Sequence, residues 1–151
     1  MKARSAVILT HQDEIALIER LRLGRHYYTF PGGKVKATET SAQAAARETL
    51  EELGLEVEIG EMVAEVWYQG APQYYYLAEA TGGQFGQGSG LEMSSSAQSG
   101  KGSYHPIWMD IDQLTIQPVL PKIMAKFVVK SHREGWPERP LVQIYLTPDD
   151  V

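Results

Sequence analysis

The sequence predicts a mixed α/β fold, on three observations. Short apolar runs of strand length recur between turn residues. One central segment combines strong helix formers with a start and a stop signal. Of the 151 residues, 43% are hydrophobic, enough for a real core in a single domain over residues 1–151. Strands therefore precede and follow one central helix, with a second helix near the end.

Residues 5–10 (SAVILT) read as a buried strand, HQDE as a turn, and residues 15–21 as a second strand, which together make an N-terminal hairpin. A short extended piece, residues 27–30, runs into Pro31, Gly32 and Gly33, where a sharp turn is expected. Residues 40–53 form the clearest helix. Thr40 and Gln43 have capping-box spacing, SAQAAARETLEEL is rich in helix formers, and Gly54 supplies the stop. Residues 57–68 and 73–80 read as strands around a turn at residues 69–72. The Gly/Ser-rich stretch 81–103 has few large apolar side chains, so no packed element is expected in it. Residues 104–109 read as a strand, 110–114 as a short turn or helix, and 121–132 as an amphipathic helix with Ile123, Met124, Phe127 and Val128 inward. Residues 141–146 close as a last strand.

Composition excludes several functions. No apolar run reaches the roughly 18 to 20 residues of a membrane span. The start, MKARSAVILTHQDE, lacks the long apolar segment and cleavage site of a signal peptide. The absence of Cys removes disulfides, thiol nucleophiles and Cys-ligated zinc, and fits a cytoplasmic location. A net charge of -5 argues against stable nucleic-acid binding, which needs a basic surface. The distribution of charge is more informative. Residues 20–36 hold five cations (Arg20, Arg22, Arg25, Lys34, Lys36) and no acid, whereas residues 37–100 hold ten acids and one cation, Arg47. A polyanion meeting a carboxylate cluster that binds cations would explain this segregation.

On the central helix, 100° per residue puts Ala46, Thr49, Leu50 and Leu53 on a core-facing stripe and Glu48, Glu51 and Glu52 on the other side. Taken alone, such a face reads as a solvated acidic surface. Carboxylates at i, i+3 and i+4 repel one another by a few tenths of a kcal/mol per pair, and Arg47 is the local compensation. A hard divalent cation turns that repulsion into a binding site, since Mg²⁺ takes one or two carboxylates with water and phosphate oxygens.

Gly33, Glu39, Arg47-Glu48, Glu51-Glu52, Gly54 and Leu55 stand at the spacing of the Nudix box: G, five residues, E, seven residues, R-E-U, any, E-E, any, G-U, with U bulky and apolar. Every fixed letter is filled, and only Thr49 departs from a U position. The flanks TFPGGKV and WMDIDQL also resemble this family. The resemblance implies an α/β/α sandwich around a mixed sheet, with the box as loop-helix-loop. It also implies a Mg²⁺- or Mn²⁺-dependent hydrolase that cleaves the diphosphate linkage of a nucleoside triphosphate, nucleotide sugar or dinucleotide. By the same resemblance, Glu48, Glu51 and Glu52 are metal ligands, and Glu39 steadies the loop or serves a second ion. Arg47 orients the glutamates, and Gly33 and Gly54 hold the turns at either end. Glu51 or Glu52 can act in catalysis, and Glu92, in the Gly/Ser-rich stretch, is a candidate general base.

Arg25, Gly32, Gly33 and Lys34, with Lys36, are candidates to meet substrate phosphates, and Tyr28, Trp67, Tyr74 and Tyr76 to stack on a base. The four His residues show no ligand spacing. The partner expected is a small nucleotide, with no membrane, and the sequence leaves a homodimer open. The alternative is a Nudix-fold binding or regulatory module without turnover, although such modules usually lack a box glutamate.

Overall fold

The computed structural model describes residues 3–87 and 102–145. Its strands are β1 (Arg4–His11), β2 (Glu14–Arg22), β3 (Arg25–Thr29), β4 (Gly32–Lys34), β5 (Leu55–Tyr68), β6 (Ala71–Gly83), β7 (Ser103–Asp110), β8 (Val119–Leu120) and β9 (Leu141–Tyr145). The helices are α1 (Ser41–Leu53) and α2 (Lys122–Glu134), and a 3-10 turn covers Ile111–Gln113. The strands join in the order β8-β3-β2-β1-β6-β5-β9, with β4 added to β1 and β7 to β2. The sheet is mixed: β1 with β6, β3 with β8 and β5 with β9 run parallel, and the other pairs are antiparallel.

Strand alternation explains why both faces are covered. On β1, Val7 and Leu9 join the apolar cluster under α1, together with Ala45 and Leu53, while Ile8 joins the cluster under α2. On β2, Ala16 and Ile18 go to the α1 side, and Ile15 and Leu17 to the α2 side. A strand buried on both faces reads as a continuous apolar run, as SAVILT does. The result is a helix, sheet, helix sandwich. Met124, Ala125, Val128 and Val129 bury α2.

One feature of the sheet places the site. β1 and β2 pair only near their hairpin turn, at Thr10 with Ile15 and His11 with Glu14. Further from the turn they diverge. Arg4 to Ala6 pair with Lys34 to Gly32 on β4, and Arg20 to Arg22 with Tyr27 to Arg25 on β3. The opening between the diverged ends is a cavity of about 500 Å³.

Three expectations need correction. Pro31-Gly32-Gly33 does not simply turn, because Gly32 and Gly33 belong to β4 and pair with Ala6 and Ser5. Stretch 81–103 has packed structure in its described residues, since β6 runs to Gly83, Phe85 stacks on Trp108 with ring centroids 5.0 Å apart, and β7 starts at Ser103, while residues 88–101 lie outside the described residues. The aromatic ring at position 85 has an apolar partner that local composition does not reveal. The inner face of α1 is also different, being formed by Ala44, Ala45, Glu48, Thr49, Glu52 and Leu53, while Leu50 is 45% exposed.

Candidate active site

Helix α1 is held at both ends by local chemistry. Thr40 Oγ1 accepts from the Gln43 N–H at 3.1 Å, and Gln43 Oε1 accepts from the Thr40 N–H at 2.8 Å, a complete capping box. Gly54 adopts φ 78°, and its N–H donates to the Leu50 carbonyl. Thr49, at an apolar position of the box pattern, is fully buried and donates its hydroxyl to the Ala45 carbonyl at 2.7 Å. That bond satisfies the hydroxyl inside the helix, so its burial leaves no polar group without a partner.

The rotation of α1 decides the character of the acidic residues. Glu48 is 7% exposed and Glu52 4%, and both line the cavity. They are therefore not a solvated acidic face. Buried carboxylates need partners, and the chain supplies them. The Gly32 N–H donates to Glu52 Oε1 at 2.7 Å. Arg47 donates to Glu39 through Nε at 3.1 Å and Nη2 at 2.7 Å, and through Nη1 to Glu48 at 2.9 Å and Glu51 at 3.3 Å. Its Nη2 also reaches the Lys34 carbonyl at 3.0 Å. One guanidinium thus ties three glutamates to the strand that faces them, which only a planar fork of donors can do.

The electrostatic consequences follow from those bonds. The guanidinium, and then the Lys36 N–H, hold the Glu39 carboxyl down at about 2. Arg47 is raised above its ordinary value, chiefly by its hydrogen bonds to Glu39, so it stays charged. Burial lifts the phenols of Tyr68 and Tyr75 above their usual range, and both remain neutral at ordinary pH.

The two glycines of β4 are needed for close approach. A Cβ on Gly33 would stand 2.4 Å from the Glu48 carboxyl, and one on Gly32 would stand 2.1 Å from the Ser5 carbonyl oxygen. The backbone of β4 therefore lies directly against α1 on one side and β1 on the other. Gly33 does not hold a turn; it leaves room for the carboxylate.

Of the residues singled out in the sequence, Glu48, Glu52, Gly32, Gly33 and Lys34 line the cavity. Glu39, Glu48 and Glu51 meet at Arg47. Arg25 is exposed at the start of β3 and is not part of the cavity wall. Glu92 lies outside the described residues. None of Tyr28, Trp67, Tyr74 and Tyr76 lines the cavity; its aromatic rings are Phe30, Tyr68, Tyr75 and Tyr104. The register of β6 explains part of this, since Tyr75 is buried in the α2-side cluster whereas its neighbour Tyr76 packs on the α1 side. Sequence reading also missed Arg4, and it named Arg20 and Arg22 only as members of a basic stretch. Period-two alternation on β2 was the available signal, because it puts Arg20 and Arg22 on one face.

Among the described residues, no three acidic or His side chains are already gathered as a metal-ligand cluster. The glutamate oxygens turn to Arg47 and to the Gly32 N–H instead. The donor chemistry nonetheless suits a hard divalent cation. Two buried carboxylates four residues apart line one cavity, a third is adjacent, and all are oxygen donors.

A family model described as NUDIX domain matches residues 1–129, and the chain belongs to this family. A NUDIX hydrolase from Nitrosomonas europaea superposes with a TM-score of 0.73 at 22% identity, over 95% of this chain and 78% of that one. An ADP-ribose pyrophosphatase from Streptococcus suis gives 0.65 at 17% identity, over 95% and 98%. A MutT protein from Bacillus halodurans gives 0.64 at 22% identity, over 99% and 92%. At these identities what is shared is the fold. A search of curated proteins found no significant match. Among the described residues, no helix is long and apolar enough to cross a membrane.

Proposed function

We propose that the chain is a divalent-metal-dependent hydrolase that cleaves the diphosphate linkage of a nucleoside diphosphate derivative by attack of water at phosphorus. The observation that carries this reading is the burial of Glu48 and Glu52 in the wall of an arginine-lined cavity. Family membership and a box with every fixed letter filled support it. Of the three neighbouring structures only one is named for a particular substrate, an ADP-ribose pyrophosphatase at 17% identity, so the nucleotide is left open among a triphosphate, a sugar conjugate and a dinucleotide.

Glu48, Glu51 and Glu52 would hold Mg²⁺ or Mn²⁺, with Glu39 as a further carboxylate nearby. When bound, such an ion neutralises diphosphate charge and makes a coordinated water acidic enough to attack. The chain's own residues do the rest. The Gly32 N–H fixes the Glu52 carboxylate, Arg47 spaces Glu39, Glu48 and Glu51, and a carboxylate of the pair Glu51 and Glu52 takes the proton from water. Lys34 stands at the cavity wall to meet phosphate oxygens.

The test is product release from a panel of nucleotides with Mg²⁺, with Mn²⁺ and with chelator, for the wild type and for Glu52→Gln. The amide keeps the size of the side chain and an oxygen for the Gly32 N–H. Turnover is expected to fall at least about 100-fold with an unchanged fold. A pure protein inert on the whole panel with both ions, or an equally active variant, overturns the proposal.

A further inference from the structure

Strand β9 ends the sheet order, and among the described residues its outer edge pairs with nothing. The parallel pairing with β5 decides what that edge offers. Leu141, Gln143 and Tyr145 stand beside Ala64, Val66 and Tyr68, and the Tyr145 carbonyl accepts from the N–H of Gln69, just past the end of β5, at 3.1 Å. Alternate residues of a strand turn their backbone groups to opposite edges, so residues 141, 143 and 145 serve β5. Val142 and Ile144 therefore present their N–H and C=O groups outward.

The side chains leave this edge unprotected. Edge strands are kept from pairing by Lys, by inward-pointing charge, by Pro or by a bulge, and the strand LVQIY holds no charge and no Pro, with an unbroken register against β5. Pro140 stands just before it. Val142 is 57% exposed and Ile144 60%, and as residues i and i+2 of a strand they share one face.

We infer that β9 is a dimerisation edge, to which a second copy of the chain adds its own β9, antiparallel, about a two-fold axis at Gln143. In that register Val142 lies opposite the partner's Ile144, and Ile144 opposite the partner's Val142. Each of these pairs exchanges both of its backbone hydrogen bonds, so every outward N–H and C=O of the two residues is satisfied. The exposed side chains meet as β-branched apolar pairs, and Gln143 faces its own copy. Charge favours the same occupant. Two chains of net charge -5 repel, yet β9 brings no charge into the contact, so this edge is where they can meet. A single rotation satisfies backbone and side chains together, and that self-complementarity selects a second copy over an unrelated strand.

The experiment has two arms, neither of which needs turnover. The first is sedimentation equilibrium of the purified chain from about 1 µM to about 1 mM, the range expected for a small interface. The mass of the wild type is expected to rise toward that of a dimer, and association should weaken about tenfold or more in Val142→Lys and in Ile144→Lys, which place a charge on the edge. Both positions are exposed, so the variants keep the fold. The second arm reads the register. The chain has no Cys, so a disulfide formed by a single introduced thiol joins two copies. In Gln143→Cys the opposed Cα atoms would stand about 4.5 Å apart, within disulfide range. In Arg139→Cys each thiol would be eight residues from its copy along the paired strands, roughly 26 Å away. Under mild oxidation Gln143→Cys is expected to cross-link about tenfold faster or more. A wild type that stays monomeric at about 1 mM overturns the proposal and leaves the edge to a strand of different sequence. Association unchanged in both Lys variants, or cross-linking no faster in Gln143→Cys than in Arg139→Cys, overturns it equally.

Discussion

Replacing Gly33 with Ala separates function from folding. The added methyl would sit 2.4 Å from the Glu48 carboxyl carbon, where ordinary contact begins at 3.4 Å, so the carboxylate must retreat by about 1 Å. It can do so because the clash is with the end of a flexible side chain, and the pairing of Ser5 with residue 33 survives. If Glu48 is the metal ligand proposed above, a displacement of that size should cost about 100-fold in rate. Stability should fall by about 1–2 kcal/mol, from the strained Arg47 contact with Glu48 at 2.9 Å. Gly32→Ala is the contrast. Its methyl meets backbone, the Ser5 carbonyl oxygen at 2.1 Å, and can be housed only by parting β1 from β4. That variant should lose about 3 kcal/mol or more and fold poorly. Steady-state kinetics beside urea melts of both proteins would decide. If the effect passes through Glu48, Gly33→Ala should also add little to Glu48→Gln in a double-mutant cycle. The reasoning is refuted if Gly33→Ala keeps wild-type kcat, or if it destabilises as much as Gly32→Ala.

Other consequences can be measured on the same protein. Arg47→Met should cost about 1–3 kcal/mol in chemical denaturation, because it leaves Glu39 and Glu48 without their guanidinium, and Arg47→Lys should recover only part of this since an ammonium cannot bridge three carboxylates. Glu39 has its carboxyl held below the ordinary value of 4.5, at about 2, so its stabilisation is fully present above pH 4.5 and drains away as pH falls toward 2. Glu39→Gln should flatten that acid limb of a stability-versus-pH curve, and an unchanged limb would show the pair to be inert. Thr40→Ala should lower stability by about 0.5–2 kcal/mol in a thermal melt without changing kcat, since it removes a cap remote from the cavity wall.

The parts of the fold set by neighbours in sequence were legible. Thr40, Gln43 and Gly54 cap α1 as their spacing predicts, because capping bonds span only three or four residues. SAVILT and residues 15–21 are strands, since apolar runs of that length with β-branched residues have few other uses. Phe85 was missed because its partner, Trp108, is brought to it by the fold and not by the chain around it. The base-stacking candidates were misplaced for the same reason: three consecutive tyrosines on β6 look alike until sheet pairing assigns each a face.

By itself the sequence determined the family to which the chain belongs, through the spacing of Gly33, Glu39, Arg47, Glu48, Glu51, Glu52 and Gly54, and with it the residues proposed for the chemistry. Local backbone geometry ties that spacing to a strand, a capped helix and its stop. Only the tertiary structure decided which way the helix faces. Hydrophobicity alone turns Leu50 inward and the glutamates outward, yet Leu50 is exposed and Glu48 and Glu52 are buried. Burying a carboxylate is favourable only when partners wait for it, and those partners, Arg47 and the Gly32 N–H, are assembled by packing. The divergence of β1 from β2, which gathers Arg4, Arg20 and Arg22 from distant places in the chain, is equally a product of strand pairing and has no local signature.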